Sequence, residues 1–353
     1  MAMELWKGNE AIAEAAVRAG CRYFFGYPIT PQNEIPEYMS MRLPQVGGCF
    51  LQSESELAAI NMVYGAAGAG ARVMTSSSSP GISLKQEGIT YMVGAELPAV
   101  IVNVMRGGPG LGTIQPAQGD YFQATRGGGN GDYRTLVLAP NTIQEAVDLT
   151  QDAFDLADRY RNPVMLLADG MIGQMMEPIE WRERGEKALP AKVWATTGTK
   201  GRRPHNIVNS LFIDPAACEL HNRRLDEKFQ EIAKNELRYE ETNTEDAELL
   251  LVAYGTPSRI AMSAADLLAQ EGIKAGLFRP ITLWPFPETA LRAAIARPSV
   301  KAVLCVEMSM GQMLEDVRYA ALGQKPVAFC GRSGGMIPTQ HEIAAAAKAA
   351  LGR

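Results

Sequence analysis

Three stretches of this chain are almost wholly apolar, without polar alternation: Pro98-Ala99-Val100-Ile101-Val102-Asn103-Val104-Met105, Thr135-Leu136-Val137-Leu138-Ala139 and Pro163-Val164-Met165-Leu166-Leu167-Ala168. Strands of this kind are covered on both faces, which is the condition of a parallel sheet sandwiched by helices. Helical patterns separate the strands. Residues 8–19 place Ala11, Ile12, Ala15, Ala16 and Ala19 at helical spacing before Gly20. Residues 56–67 read as a helix rich in small residues, and Thr142-x-x-Glu145 reads as a capping box opening another. Shorter strands, Arg22–Phe25 and Arg72–Thr75, run into turns at Gly26–Pro31 and Ser76–Gly81. Strand and helix in alternation give right-handed crossovers and an open parallel sheet, so the fold class is α/β.

The rhythm breaks over residues 180–245, a charged, proline-broken stretch holding one amphipathic helix, Leu225–Ile232. It resumes at Ala247–Tyr254, where Gly255-Thr256 opens a helix, and continues with strands at Ala275–Phe278, Ala302–Val306 and Val327–Cys330. An alanine-rich helix from about His341 closes the chain. The expected organisation is a first α/β domain over 1–180, a connecting segment over 181–245 and a smaller α/β domain over 246–353. The 353 residues suit two domains.

Several function classes are excluded by composition. A net charge of −5 without a Lys/Arg stripe leaves no nucleic-acid footprint, and the short Lys200-Gly201-Arg202-Arg203 cluster reads as a solvated loop. No apolar run approaches the ~20 residues of a membrane span. The first residues lack the basic and apolar regions of a secretory signal, so a cytoplasmic protein is expected. Five cysteines (Cys21, Cys49, Cys218, Cys305, Cys330) are dispersed without a Cys-x-x-Cys pair. That argues against a self-contained iron–sulfur or zinc site and suits reduced thiols. His205, His221 and His341 share no motif and read as surface residues.

The residues that carry chemistry stand where strands end. The Gly26–Pro31 turn is bracketed by prolines and offers one hydroxyl, that of Thr30. Glu56 begins an otherwise apolar helix. Such an acid is either a surface residue favoured by the helix dipole or is committed to a partner such as a protonated ring nitrogen. The Ser76–Ser79 run suits helix capping or anion binding. Gly107–Gly112 follows a strand but has no Gly-Lys-Ser/Thr ending, and Pro109 removes a backbone donor, so it is not a nucleotide phosphate loop. Arg106 sits at the carboxyl end of a buried strand, the edge where open α/β sheets bind ligands. It could clamp a carboxylate through two parallel hydrogen bonds or pair with a neighbouring acid. A Ser-His-Asp hydrolase is improbable with three scattered histidines.

Tyr27-Pro28-Ile29-Thr30-Pro31, Glu54-Ser55-Glu56-Leu57-Ala58-Ala59-Ile60-Asn61, Gly70-Ala71-Arg72-x-Met74-Thr75, Ser79-Pro80-Gly81-x-Ser83-Leu84 and Met105-Arg106-Gly107-Gly108-Pro109 together resemble the α subunit of 2-oxoacid:ferredoxin oxidoreductases. So do Leu283-Trp284-Pro285-Phe286-Pro287 and the run from Glu307 to Gly311-Gln312-Met313. Gln118-Gly119-Asp120 and Gly127–Asp132 look most like the 2-oxoisovalerate (branched-chain) type.

The resemblance implies a thiamine-diphosphate pyrimidine-binding-type domain and a transketolase C-terminal-like domain, with the cofactor shared with a separate β subunit. It makes Glu56 the cofactor glutamate, bonded to the pyrimidine ring nitrogen so that the imino tautomer is favoured; Glu54 is its rival two residues away. Thr30 matches the threonine near the substrate's oxygens and Arg106 the arginine that meets its carboxylate, while Tyr27, Pro28 and Ile29 belong to the cofactor site. Magnesium and the diphosphate would be held by the β subunit and [4Fe-4S] clusters by a δ subunit, beside a γ subunit. Coenzyme A would take the acyl group and ferredoxin the electrons. No metal ligand is expected on this chain, which alone should be inactive. Glu307 and the Arg332–Gly335 loop sit at strand ends, as ordinary loops or as contacts to coenzyme A or a partner. Two other readings compete: a transketolase-like thiamine transferase half, and a non-catalytic interaction subunit.

Overall fold

The structure is a computed structural model that describes residues 3–185 and 188–353. Met1, Ala2, Glu186 and Lys187, which fall in the first domain and connecting segment as read from sequence, lie outside the described residues. In chain order the first elements are β1 (Glu4–Lys7), α1 (Gly8–Arg18), β2 (Tyr23–Gly26), α2 (Glu34–Gln45), β3 (Cys49–Gln52), α3 (Glu56–Gly68), β4 (Val73–Ser77), α4 (Ser79–Gly94) and β5 (Val100–Met105). Then come α5 (Tyr121–Arg126), β6 (Leu136–Leu138), α6 (Ile143–Tyr160), β7 (Val164–Asp169), α7 (Gly170–Gln174), β8 (Met176–Ile179), α8 (Pro215–Asn235) and β9 (Tyr239–Thr242). The remainder is β10 (Leu249–Val252), α9 (Gly255–Gln270), β11 (Ala275–Pro280), β12 (Thr282–Trp284), α10 (Glu288–Ile295), β13 (Ala302–Glu307), α11 (Met313–Ala321), β14 (Val327–Gly331) and α12 (Gln340–Ala350).

Seven strands form the first sheet in the order β12-β6-β7-β5-β4-β2-β3, and five form the second in the order β14-β13-β10-β11-β9. Both are parallel except at one edge: β12 runs antiparallel to β6, and β9 antiparallel to β11. β1 and β8 make a separate antiparallel pair. Every residue of β5 and β7 is buried, as sequences apolar but for Asn103 and Asp169 require. The short edge strands β3, β9 and β12 escape the sequence reading because too few residues carry the pattern.

The stretch read as a connection supplies α8 and β9. α8 buries Leu225, Phe229 and Ile232 in the main core, and β9 completes the second sheet. β12 in turn carries residues from the second half onto the first sheet. The main core is continuous across both sheets, with Tyr254 and Phe278 in the same cluster as Tyr121 and Leu136. Among the described residues no helix is long and apolar enough to cross a membrane.

The capping box expected at α6 is half formed. Thr142 Oγ1 accepts from Glu145 N at 3.1 Å. The Glu145 carboxylate accepts instead from Asn141 N at 2.8 Å and pairs with Arg279 of β11 at 2.8 and 3.0 Å. A cation from the second sheet outbids the local cap.

Asp169, at the end of β7, joins the two halves more directly. One carboxylate caps α7 through Met171 N (3.1 Å) and Ile172 N (3.3 Å) and accepts from Thr256 N (2.8 Å) and Thr256 Oγ1 (2.6 Å) at the start of α9. Gly255 makes the approach possible: its φ is +58°, and a Cβ there would stand 2.7 Å from Asp169 Oδ2. Burial nonetheless pushes the Asp169 carboxyl above its usual range, against the pull of these donors. Asp169→Ala strands the buried Thr256 N–H and removes four hydrogen bonds. It should cost about 3 kcal/mol, read from the urea midpoint; a wild-type midpoint would contradict the role given to this tie.

Candidate active site

Four neighbouring strands, β3, β2, β4 and β5, end on the same edge of the first sheet. The loops that follow them carry the candidate residues. Ser53 links the first two ends, its hydroxyl lying between the Gly26 carbonyl (3.1 Å) and the Ser55 carbonyl (2.8 Å). Ser55 then caps α3, accepting from Ala58 N at 3.1 Å. Glu56 follows as the first helical residue and is buried, whereas Glu54 is exposed. The Glu56 carboxylate lies over the first turn of α4. A Cβ on Gly81 would stand 2.6 Å from Glu56 Oε1 and 2.0 Å from Ser77 Oγ, so only glycine allows the two helix starts to approach this closely.

The Tyr27–Pro31 turn after β2 contains a cis Thr30–Pro31 peptide. Tyr27, Ile29 and Thr30 are half-buried and Pro28 is exposed. Buried Gln32 fixes the turn from below: its Nε2 donates to Tyr27 O at 3.4 Å, and its Oε1 accepts from Ser76 Oγ. The Thr30 hydroxyl accepts from Asn33 Nδ2 at 3.3 Å.

Arg106 meets this turn directly, Nη1 donating to Thr30 O at 3.0 Å and Nη2 to Leu111 O at 3.0 Å. Its backbone N–H donates to Ser79 Oγ at 3.0 Å. Arg106 is buried and, among the described residues, no acid pairs with it, so the salt-bridge alternative falls away. Arg106 Nε is buried without a partner, and so are Ser77 Oγ and Ser78 Oγ. Thus the start of α4 bridges the site: Gly81 faces Glu56, and Ser79 holds Arg106. The serine run serves less as a cap than the sequence suggests, since Ser78 at the N-cap makes no side-chain capping bond.

Lys85 was not singled out from sequence. It is wholly buried one turn beyond Gly81, and its Nζ donates to Thr75 Oγ1 at 2.7 Å. Burial pulls the amine down to about 7, while the charge of Glu56 pulls it up. The signal was present: Ile82, Lys85, Ile89 and Met92 share the inward phase of α4. A lysine at a core position marks an unusual environment.

In the second half Glu307 is consumed structurally. Its carboxylate caps α11 through Met313 N (3.0 Å) and Leu314 N (2.9 Å) and accepts from Ser309 Oγ at 2.7 Å. Arg332 pairs with Glu342 at 3.0 Å. The Gly334–Gly335 backbone packs on Gly107 and Gln115, so this loop braces the one that holds Arg106. Gln118 ties across as well, accepting from Met308 N at 2.9 Å and donating to Tyr254 O at 2.9 Å. His205 and His341 are exposed; His221 is half-buried and bonded to Gly94 O at 2.7 Å.

The start of α4 thus has at one side a buried carboxylate, Glu56, with no ion pair among the described residues, and at the other an arginine, Arg106, with a donor to spare. The family model described as pyruvate flavodoxin/ferredoxin oxidoreductase, thiamine diphosphate-binding, matches residues 14–240. That for pyruvate:ferredoxin oxidoreductase core domain II matches 247–343. The chain therefore belongs to the 2-oxoacid:ferredoxin oxidoreductases, as a subunit with a thiamine-diphosphate-binding domain. It is 52% identical over 343 residues to ketoisovalerate oxidoreductase subunit VorB of Methanothermobacter marburgensis, covering 97% of this chain and 96% of that one. To the 2-oxoglutarate synthase subunit KorA of Archaeoglobus fulgidus it is 42% identical, covering 94% and 95%.

Among solved structures, 2-oxoglutarate:ferredoxin oxidoreductase from Magnetococcus marinus, with 2-oxoglutarate, coenzyme A and succinyl-CoA bound, superposes with a TM-score of 0.85 at 27% identity. The match covers 99% of this chain and 65% of that one, so the chain spans about two thirds of that neighbour's length. A split-gene transketolase (TM-score 0.61, 15% identity, 98% of each chain) shares the fold alone.

The residues present fit the pyrimidine end of the cofactor: an unpaired carboxylate, a cradle that a Cβ on Gly81 would fill, and orphaned serine hydroxyls. Gly81→Ala would displace Glu56 by overpacking, at a cost of 1–3 kcal/mol. Cofactor retention by the assembled enzyme should fall about tenfold, measured by fluorescence of the extracted cofactor. Wild-type retention would contradict the close approach described here.

Proposed function

We propose that this chain forms the pyrimidine side of a thiamine diphosphate site in an enzyme that oxidatively decarboxylates a 2-oxo acid, 2-oxoisovalerate by preference, to acyl-CoA and CO2. Electrons pass to ferredoxin. The observation that carries the reading is the convergence of buried Glu56, the Thr30 turn and Arg106 on one edge of the first sheet. The substrate preference is supported by the greater likeness to ketoisovalerate subunits than to 2-oxoglutarate ones.

When bound, thiamine diphosphate supplies the acidic carbon that adds to a 2-oxo group and the sink for the electron pair left by decarboxylation. The chain's own residues position and polarise. Glu56 holds the ring nitrogen as a carboxylate hydrogen-bond partner, shielded from water by α4. Tyr27, Pro28 and Ile29 line the approach to the ring. Arg106 receives the substrate carboxylate through Nε and the Nη protons not spent on Thr30 O and Leu111 O. The Thr30 hydroxyl faces the substrate's oxygens.

Partner subunits complete the site. The β subunit holds the diphosphate and magnesium, the δ subunit the [4Fe-4S] clusters, and a γ subunit stands beside them; coenzyme A accepts the acyl group, as its presence in the solved neighbour supports. The dispersed free cysteines support placing clusters elsewhere and a cytoplasmic setting. The β subunit docks on α3 and α4, whose outer faces expose Leu57 (47%), Leu84 (56%) and Tyr91 (42%).

The test is anaerobic, coenzyme A-dependent viologen reduction by this chain co-expressed with its partner subunits, with 2-oxoisovalerate, pyruvate and 2-oxoglutarate in parallel. Fastest reduction with 2-oxoisovalerate is expected. No reduction by a complex loaded with cofactor and clusters would return the transferase or scaffold readings. Leu84→Arg should abolish co-purification with the β subunit, and its full retention would rule out the docking face.

A further inference from the structure

The connecting segment walls a cleft for which the reading above has no use. The cleft has a volume of about 510 Å³ and lies between the carboxyl ends of α4 and α6, residues 194–212 and the first half of α8. Glu56 and Arg106 stand at the other end of α4, a helix of 16 residues and so about 24 Å long. Residues 194–212 form no helix or strand, yet they are pinned to their surroundings. Asn206 Nδ2 donates to Val193 O at 2.7 Å and Ala195 O at 2.9 Å, and Thr196 N donates to Gly68 O at 2.9 Å. A Cβ on Gly94 would stand 2.9 Å from Ser210 Cβ, so glycine at this helix end lets the segment close in.

Both helix ends carry a residue in the left-handed region, Glu96 (φ +52°) after α4 and Arg161 (φ +48°) after α6. Glycine or asparagine is ordinary there, but this chain keeps long charged side chains, and both line the cleft. The Arg161 guanidinium lies over the Trp194 ring at 4.6 Å. Arg224 Nη2 donates to His221 Nδ1 at 3.0 Å and pairs with Glu96 at 2.5 Å, and the His221 ring stacks on Phe212 at 4.6 Å. Part of this set serves the helix ends, whose carbonyls favour cations. His221 donates to Gly94 O at 2.7 Å, Arg161 Nε to Glu96 O at 3.2 Å and Lys228 to Arg161 O at 3.3 Å. That role leaves over the two Nη groups of Arg161, which make no hydrogen bond among the described residues. It also leaves a positive surplus, with Arg161, Arg224 and Lys228 gathered around Glu96. Burial pulls the Arg161 guanidinium below its ordinary value, and the charge of Arg224 adds to this against the pull of Glu96.

We propose that this cleft binds a nucleoside monophosphate, its phosphate on Arg161 and Arg224 and its planar ring against Trp194 and Phe212. A guanidinium with both Nη groups unspent receives a phosphate through parallel hydrogen bonds, and the surplus positive charge matches a dianion. The aromatic walls supply apolar area that a bare anion does not use. Asn206 Oδ1 and Asn209 Nδ2 are unspent beside them, an acceptor and a donor for the edge of a base. The volume lies in the range of small-ligand sites, whereas an acidic side chain of a partner subunit would fill little of it. The cleft shares no residue with the edge that carries Glu56, so it stands or falls apart from the cofactor reading.

The test is equilibrium dialysis of the full chain, and of the complex co-expressed with its partner subunits, against adenosine monophosphate, uridine monophosphate and inorganic phosphate. A nucleotide should be held with a Kd below about 1 mM, and about tenfold more tightly than phosphate. Arg161→Gly removes the guanidinium but puts at this left-handed position the residue most at ease there, so the fold should be kept. It should weaken nucleotide binding about tenfold, as should Arg224→Ala. Trp194→Leu should weaken nucleotide binding and leave phosphate binding unchanged. Absence of saturable nucleotide binding overturns the site, and so does binding that all three variants leave intact. Phosphate held as tightly as the nucleotides overturns the role given to the aromatic walls. Binding by the free chain and not by the complex would show that a partner subunit occupies the cleft, and would overturn the small-molecule assignment.

Discussion

Asp169 is the point at which two α/β halves become one molecule. Two of its hydrogen bonds cap α7 and two, from Thr256 N and Oγ1, fix the end of β7 to the start of α9. With α9 placed, the carboxyl ends of β13 and β14 face those of the first sheet, and Gln118 bonds to Met308 and Tyr254 across the seam. The Gly334–Gly335 backbone then rests on Gly107 and Gln115. That closes the loop whose Leu111 carbonyl holds Arg106 against the Thr30 turn. The arginine is therefore aimed by a chain of contacts that begins in the other half. The second sheet shapes the site through these contacts.

The site concentrates what a stable core avoids. Glu56, Lys85 and Arg106 are all buried, and no direct ion pair joins them. Ser77, Ser78 and Arg106 keep buried polar atoms without partners, each at a cost of about 1–3 kcal/mol. The packed interior of β5 and β7 offsets such costs. Local rules fail here in the way expected of a functional site, where unspent hydrogen-bonding capacity is held for a ligand.

The α/β class and the long buried strands were legible because β5, β7 and β10 carry enough apolar residues to show that both faces are covered. Thr30 and Arg106 were legible as strand-end residues and Glu56 as a helix-start residue, but sequence alone left Glu56 and Arg106 each with a structural alternative. The structure removes one of these, since Arg106 bonds to carbonyls and not to an acid. It also separates Glu56 from Glu54 by burial. What stayed hidden depends on partners outside any local periodicity. The pairing of Glu145 with Arg279, the role of Glu307 as a helix cap and the use of β9 and β12 as sheet edges leave no local pattern. Lys85 had a local sign, its inward phase on α4, but its partner Thr75 lies on a different element and left no local pattern.

The account turns on Glu56 acting through the cofactor's ring nitrogen. The direct test is the rate at which the C2 proton of bound thiamine diphosphate exchanges with deuterium in the assembled complex, read by acid quench and NMR. Glu56→Gln should slow that exchange by about 10²–10⁴-fold while cofactor and partner subunits stay bound. Exchange at the wild-type rate in a fully loaded Glu56→Gln complex would contradict the assignment of this carboxylate to cofactor activation.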